Sequence, residues 1–226
     1  MISVAMITKN EEKALGTVID NIRKVVPEAE ILIVDSSDDN TSEIAESLGA
    51  KVIRQYPPQG YGRAMELALR SAAGDVVVTL DCDDTYPAEV IPEIAQYVLD
   101  GGCDLVDCSR LKTKPKAMPW INYLANKTFA WLASLLFFKH LTDLHSGMRA
   151  YRKSMLDDLE FDASGAALPV ELLLKPLASG YRVKVFFIGY RERIGETTMR
   201  PLESAWWTAK RILRVRFDKR QRARVR

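Results

Sequence analysis

The sequence predicts an α/β domain with a mostly parallel central sheet flanked by helices. Three observations carry that prediction. Short β-branched runs alternate with helical patterns through the first half of the chain, the rhythm of βαβ units. One run, Val76-Val-Val-Thr-Leu80, stops abruptly at Asp81-Cys82-Asp83-Asp84, so that a buried strand delivers carboxylates at its C-terminal end. The chain has 226 residues and is 47% apolar, enough for one domain with a sizeable core.

The elements follow in order. Ile2–Ile7 reads as a strand. Glu11–Val26 reads as a helix with Leu15, Val18, Ile19, Ile22 and Val26 on one face. Ile31–Val34 is a strand ending at Asp35, Thr41–Leu48 a helix stopped by Gly49, and Lys51–Arg54 a strand. Gly62–Ala73 is a helix and Val76–Leu80 a strand. The second half is less regular. Pro87–Asp100 reads as a helix, Asp104–Cys108 as a strand, and the lysine- and proline-bearing segment 112–119 as a mobile loop. From Trp120 to Phe138, Ile121, Leu124, Thr128, Trp131, Leu135 and Phe138 recur at helical spacing. Its densest apolar part, residues 129–138, is shorter than the roughly 20 residues that cross a bilayer. That leaves a buried helix or one lying in a membrane interface.

Charge is unevenly spread. Residues 210–226 hold nine Lys/Arg against Asp218, a net +8, which leaves −6 on residues 1–209 of a chain that is +2 overall. Such a tail favours an anionic partner, and the acidic body argues against nucleic acid. Trp206, Ala209, Leu213 and Phe217 share a helical stripe beside Lys210, Arg211 and Arg214. That pattern suits an interfacial helix, or a helix docked on the core with a solvated basic end. The chain ends without a spanning segment, as a peripheral protein would, or as one would just before transmembrane helices lying beyond this chain. Ile2–Ile7 lacks the basic lead of a secretory signal. Cys82, Cys103 and Cys108 have no metal-ligand spacing and read as buried thiols in a reducing compartment.

The chemistry gathers at strand ends. Open α/β sheets bind ligands at the carboxyl edge. An Asp-x-Asp there, Asp81 and Asp83, offers hard oxygen ligands to a divalent cation that in turn can hold a diphosphate. Asp35 can accept hydrogen bonds from a base or ribose, or simply close a turn. Gln59-Gly-Tyr-Gly-Arg-Ala64 brings glycines and Arg63 to a helix N-terminus, an anion site in other folds.

In combination these segments resemble the nucleotide-sugar domain of family 2 inverting glycosyltransferases. The order is Thr8-Lys-Asn-Glu-Glu12, then Val34-Asp-Ser-Ser-Asp-Asp-Asn-Thr41, then Gly60-Tyr-Gly-Arg-Ala64, then Gly74-Asp-Val-Val-Val-Thr-Leu-Asp-Cys-Asp-Asp-Thr-Tyr-Pro87. The chain looks most like polyprenol-phosphate (dolichol-phosphate) mannose or glucose synthases, and more distantly like cellulose-synthase-type enzymes. The resemblance implies the GT-A fold, a Rossmann-like sheet. It implies a nucleotide-sugar-binding half over 1–110, an acceptor-binding half over 111–200 and a basic amphipathic membrane-proximal tail over 201–226.

It also implies roles. Ile7, Thr8, Glu11 and Asp35 would line the base and ribose site, with Gly62 and Arg63 nearby. Asp81 would face the nucleotide and Asp83 an Mg2+ or Mn2+ ion. Thr85 stands where polyprenol-phosphate mannose synthases often carry a ligating glutamine. Ser109-Arg110 resembles the Gly-Ser-Arg whose arginine holds phosphate. Residues 141–151 resemble the Asp-x-x-Ser-Gly-Phe-Arg segment. Residues 191–199 resemble an Arg-x-x-Gly-x-Ser-Lys loop, making Arg193 a second phosphate clamp, with Thr198 in place of the lysine. Thr142-Asp143 resembles the base motif of cellulose-type enzymes, so Asp143 is either a general base or a carboxylate bonding backbone amides or Arg149. His145 would bond a diphosphate oxygen or support the loop. The Gln-x-x-Arg-Trp motif of processive synthases is absent. The activity implied is transfer of a hexose to a lipid-linked acceptor, a polyprenyl phosphate or lipid-linked glycan, at the cytoplasmic face of the cell membrane. GDP-mannose is the favoured donor and UDP-glucose the alternative. A sugar nucleotidyltransferase is the remaining reading, disfavoured because the loop after the first strand has no glycine.

Overall fold

The computed structural model describes residues 1–165, 167–194 and 201–218. Seven strands form one sheet in the order β3-β2-β1-β4-β6-β5-β7. They are β1 (Ile2–Thr8), β2 (Glu30–Asp35), β3 (Lys51–Arg54), β4 (Val76–Thr79), β5 (Leu105–Ser109), β6 (Arg149–Arg152) and β7 (Val183–Phe187). Every pairing is parallel except those of β6, which runs antiparallel to both β4 and β5. Because β6 is reversed, β1, β2, β4, β5 and β7 all end at the same edge, and β6 begins there.

Side-chain alternation along each strand supplies two apolar faces. Val4, Met6, Ile31, Ile33, Val76 and Val78 pack with α1 (Leu15–Val25) and α4 (Ile91–Leu99). Ala5, Leu32, Val34 and Val77 pack with α3 (Tyr61–Ser71), α7 (Leu168–Ala178) and α8 (Pro201–Phe217). Helices α2 (Thr41–Ser47), α5 (Trp120–Phe137) and α6 (Lys153–Asp158) complete the shell. The three cysteines are free and buried.

Differences from the sequence reading have local causes. Helix α1 starts at Leu15, because Glu11 and Thr41 hold the preceding segment through an amide-to-hydroxyl bond of 3.0 Å. The expected helix over 87–100 opens as a 3-10 turn at Ala88–Val90, and Pro92 follows in the first turn of α4. Strands β6 and β7 and helices α6 and α7 went unread. Strand β6 has four residues of which two are arginines, a composition that hides a strand. The segment 112–119 is held at its ends, with Leu111 and Met118 buried and Lys127 Nζ donating to the Leu111 carbonyl at 2.8 Å.

Helix α5 turns its apolar stripe outward. Ile121, Leu124, Trp131, Leu135 and Phe138 are exposed, Trp131 by 66% and Phe138 by 80%, while Ala130 and Ala133 face the body. Helix α8 does the same with Trp206, Leu213 and Phe217, burying Thr208, Arg211, Ile212 and Val215. Among the described residues no helix is long and apolar enough to cross a membrane. The basic run 219–226 lies outside the described residues.

Strand β6 owes its place to a buried ion pair. Arg149 Nε donates to Asp107 Oδ1 at 2.7 Å, and its other nitrogens reach the carbonyls of Pro169 and Leu144; both side chains are 1% exposed. Removing one partner strands the other in the core. Arg149→Met should therefore lower unfolding free energy by about 3–5 kcal/mol in urea titrations, and adding Asp107→Leu should recover most of the loss.

Candidate active site

The common sheet edge collects the residues singled out from the sequence. Thr8 ends β1 and Asp35 ends β2. Asp81 and Asp83 follow β4, Arg110 follows β5, Asp143 precedes β6, and Arg193 follows β7. The crossover at β1–β4, where strand order reverses, is the position at which open sheets form ligand crevices.

Asp83 sits in a turn of its own making. Its Oδ1 accepts from the Thr85 amide at 3.1 Å and the Thr85 hydroxyl at 2.6 Å. Thr85 therefore orients Asp83. Oδ2 lies 2.6 Å from an Arg193 nitrogen. That contact is an ion pair outside hydrogen-bond geometry, and among the described residues this buried oxygen carries no hydrogen bond. Asp81 lies two residues earlier after β4, and burial, then the neighbouring Asp83, push its carboxyl up to about 6. Glu11 is pushed up to about 7 by burial, with Arg193 opposing and Asp83 and Asp81 adding to the rise. Three carboxylates thus stand close together, with Arg193 and Arg110 opposing their charge.

That donor set fits a hard divalent cation only in part. Among the described residues no group of three or more His, Cys, Asp or Glu is placed to hold a metal ion. Asp83 and Asp81 offer oxygens, and the remaining ligands must come from a diphosphate and water, the pattern Mg2+ sites commonly take.

Two expected contacts are differently employed. Asp35 is fully buried, its oxygens taken by Thr8 Oγ1 at 2.6 Å, Ser37 Oγ at 2.5 Å, Ser42 Oγ at 2.8 Å and Arg54. As it stands it ties β1, β2 and β3 together and has no free acceptor toward a base. Arg54 was missed; its only signal was a cation ending β3 beside that carboxylate. Gly62 is buried, and a Cβ there would lie 2.1 Å from the Ala163 carbonyl oxygen. Its lack of a side chain serves that loop contact. Arg63 is exposed on the first turn of α3, and Ile7 is half-buried. Thr198 lies outside the described residues.

Asp143 is clamped. Arg110 Nε and NH2 donate to its two oxygens at 2.7 and 3.0 Å, the Arg110 amide adds a bond of 3.2 Å, and the His145 amide one of 3.1 Å. Its partner is thus Arg110, while Arg149 belongs to Asp107. Burial pulls the Asp143 carboxyl upward, but the Arg110 charge and hydrogen bonds outweigh it and hold it below the usual range. The Arg110 guanidinium also lies 5.1 Å from the Tyr190 ring centre. His145 supports the same loop: its Nε2 is 2.7 Å from Thr208 Oγ1. Burial drives its ring down to about 4, against the pull of Asp143 and with Arg110 and Arg149 lowering it further.

The glycosyl transferase family 2 profile matches residues 3–160. The chain belongs to that family. It is 42% identical over 222 residues to a dolichyl-phosphate hexose transferase of Haloferax volcanii, covering 98% of this chain and 96% of that protein. It is 29% identical over 209 residues to an undecaprenyl-phosphate mannosyltransferase of Micrococcus luteus, covering 85% and 84%. A glucosyl-3-phosphoglycerate synthase of Mycobacterium tuberculosis, solved with Mn2+, UDP and glucosyl-3-phosphoglycerate, superposes with a TM-score of 0.72 at 23% identity, covering 95% of this chain and 78% of that one. That likeness is one of fold, and the fold is GT-A.

Two expectations follow from the geometry. A Cβ on Gly147 would come within 2.8 Å of both Asp81 oxygens. Gly147→Ala should swing that carboxylate aside at little cost in Tm; a displacement of about 1 Å can cost on the order of 100-fold, so kcat/KM should fall at least about tenfold. His145 should stay neutral in the fold, its ring NMR shifts flat from pH 8 to 5.5. A depressed histidine favours the fold above the unfolded value of 6.5 and withdraws that support as pH falls toward 4.

Proposed function

We propose that the chain transfers a hexose from a nucleotide sugar to a polyprenyl phosphate, with residues 1–110 holding the donor, 111–200 the acceptor and 201–226 lying at the membrane. The observation that carries the reading is the Asp143–Arg110 clamp. A sugar hydroxyl acceptor needs a base to take its proton. The carboxylate motif that resembles the base of cellulose-type enzymes has both oxygens engaged and its proton affinity lowered. A phosphate acceptor is already an anion and needs no base; it needs a cation, and Arg110 is held ready. The name of the Haloferax volcanii relative, which matches nearly the full length, supports the same acceptor class.

In this reading Arg193 and Arg110 neutralise phosphate charge, Asp143 fixes Arg110, and Thr85 fixes Asp83. Asp83 and Asp81 are the residues that would hold Mg2+ or Mn2+, which when bound neutralises the leaving diphosphate. The acceptor's lipid tail calls for a bilayer. From Leu111 to Thr142 the chain has five lysines and no Asp or Glu, and the stripe on α5 faces outward. An apolar face flanked by cations suits an anionic cytoplasmic leaflet. GDP-mannose is the proposed donor, on resemblance to polyprenol-phosphate mannose synthases, and UDP-glucose is the alternative.

Purified protein with labelled GDP-mannose or UDP-glucose, Mn2+ and polyprenyl phosphate should move label into the organic phase, whereas polyprenol should accept none. Transfer to the alcohol at a comparable rate would sink the phosphate reading. Thermal shifts with GDP and UDP, each with and without Mn2+, should single out one nucleotide and name the base.

A further inference from the structure

The two helices with outward apolar stripes converge on a single ring. On one side the Phe129 ring of α5 meets the His145 ring edge-on, with centres 6.0 Å apart. On the other side α8 contributes Thr208, 1% exposed, whose hydroxyl is 2.7 Å from His145 Nε2. His145 Nδ1 is closed to solvent and, among the described residues, has no hydrogen-bond partner. The bond to Thr208 is therefore the polar contact that sets the ring's orientation. The same residue's amide caps Asp143 Oδ1 at 3.1 Å, and Asp143 holds the Arg110 guanidinium by both oxygens. Other polar ties of α8 lead elsewhere: Arg211 to Glu171 and to the Asp162 and Ser164 carbonyls, Arg214 to Asp162. A run of three contacts thus joins α8 to Arg110.

We infer that Thr208 is a positioning residue for sugar transfer, its hydroxyl fixing the His145 ring and, through the 143–145 loop, the Asp143–Arg110 clamp. The inference rests on the proposed role of Arg110 toward phosphate. Thr208 touches neither donor nor acceptor. What it controls is where a buried guanidinium points, and errors of about 1 Å there can cost on the order of 100-fold in rate.

The test compares Thr208→Val, which keeps the shape and removes the hydroxyl, with Thr208→Ser, which keeps the hydroxyl. Each is measured as the full chain with nucleotide sugar, Mn2+ and polyprenyl phosphate, beside release of nucleoside diphosphate without acceptor. Thr208→Val should lower transfer kcat about tenfold while donor KM changes less than about twofold and Tm stays within a few degrees, the mark of an interaction realised in the transition state. Thr208→Ser should return kcat to within about twofold of the original. In a His145→Phe background, which keeps the ring contact with Phe129, Thr208→Val should add no further loss, because both act through one contact. Unchanged kcat in Thr208→Val, equal damage from Thr208→Ser, or additive losses in the double variant would overturn the inference. Failure of the original chain to transfer to polyprenyl phosphate counts against the acceptor reading instead, and the variants are then ranked on nucleoside diphosphate release.

Discussion

Two buried arginines determine how the β5–β6 side of this enzyme's site is built. Arg149 and Arg110 lie at the junction of β5 and β6, and each is answered by one aspartate, Asp107 and Asp143. A guanidinium enclosed in protein without a carboxylate is costly by several kcal/mol, so neither member of either pair can leave alone. The pairs divide the work. Arg149–Asp107 binds a reversed strand into an otherwise parallel sheet. That strand carries the 141–147 loop to the edge where the parallel strands end. Arg110–Asp143 then fixes the loop against the strand beside it. That side is rigid because four charges have no other place to go.

The β1–β4 side works by the opposite device. Burial raises the Glu11 and Asp81 carboxyls, the neighbouring Asp83 charge adds to both, and Arg193 at Glu11, with Arg110 and Arg193 at Asp81, opposes the rise. Such a cluster is not at rest. It gains by admitting positive charge. Rigid clamping on one side and gathered like charge on the other thus meet at one sheet edge.

The sequence was most legible where local pattern and global fold agree. Strands β1 to β4 are short β-branched runs with helices between them, and their order around Asp81-Cys-Asp83 was readable because each motif sits at a strand end. What pattern could not tell was how carboxylates are used. Asp35 reads as a ligand group, yet four side chains from three segments close on it, among them Arg54 from a strand nineteen positions later. Asp143 reads as a base, or as a carboxylate bonding backbone amides or Arg149, yet its side-chain partner lies 33 positions earlier. Partners at such separations leave no periodic trace. Strand β6, with arginines at both ends, lacks the apolar signature because one of those arginines is itself the core.

Helix α5 sets the limit most clearly. Spacing established that Ile121, Leu124, Trp131, Leu135 and Phe138 share a face, and that reading holds. Spacing could not say which way the face points, since a buried helix and an interfacial one have the same stripe. The small residues decide it. Ala130 and Ala133 lie opposite the aromatic stripe and let the helix approach the body closely, which leaves the large side chains outside. In water, packing Trp131 and Leu135 inward would gain roughly 1.5–3 kcal/mol for each side chain buried. A helix that presents them outward, between lysines and without an acid from residue 111 to 142, is matched to surroundings less polar than water and of opposite charge.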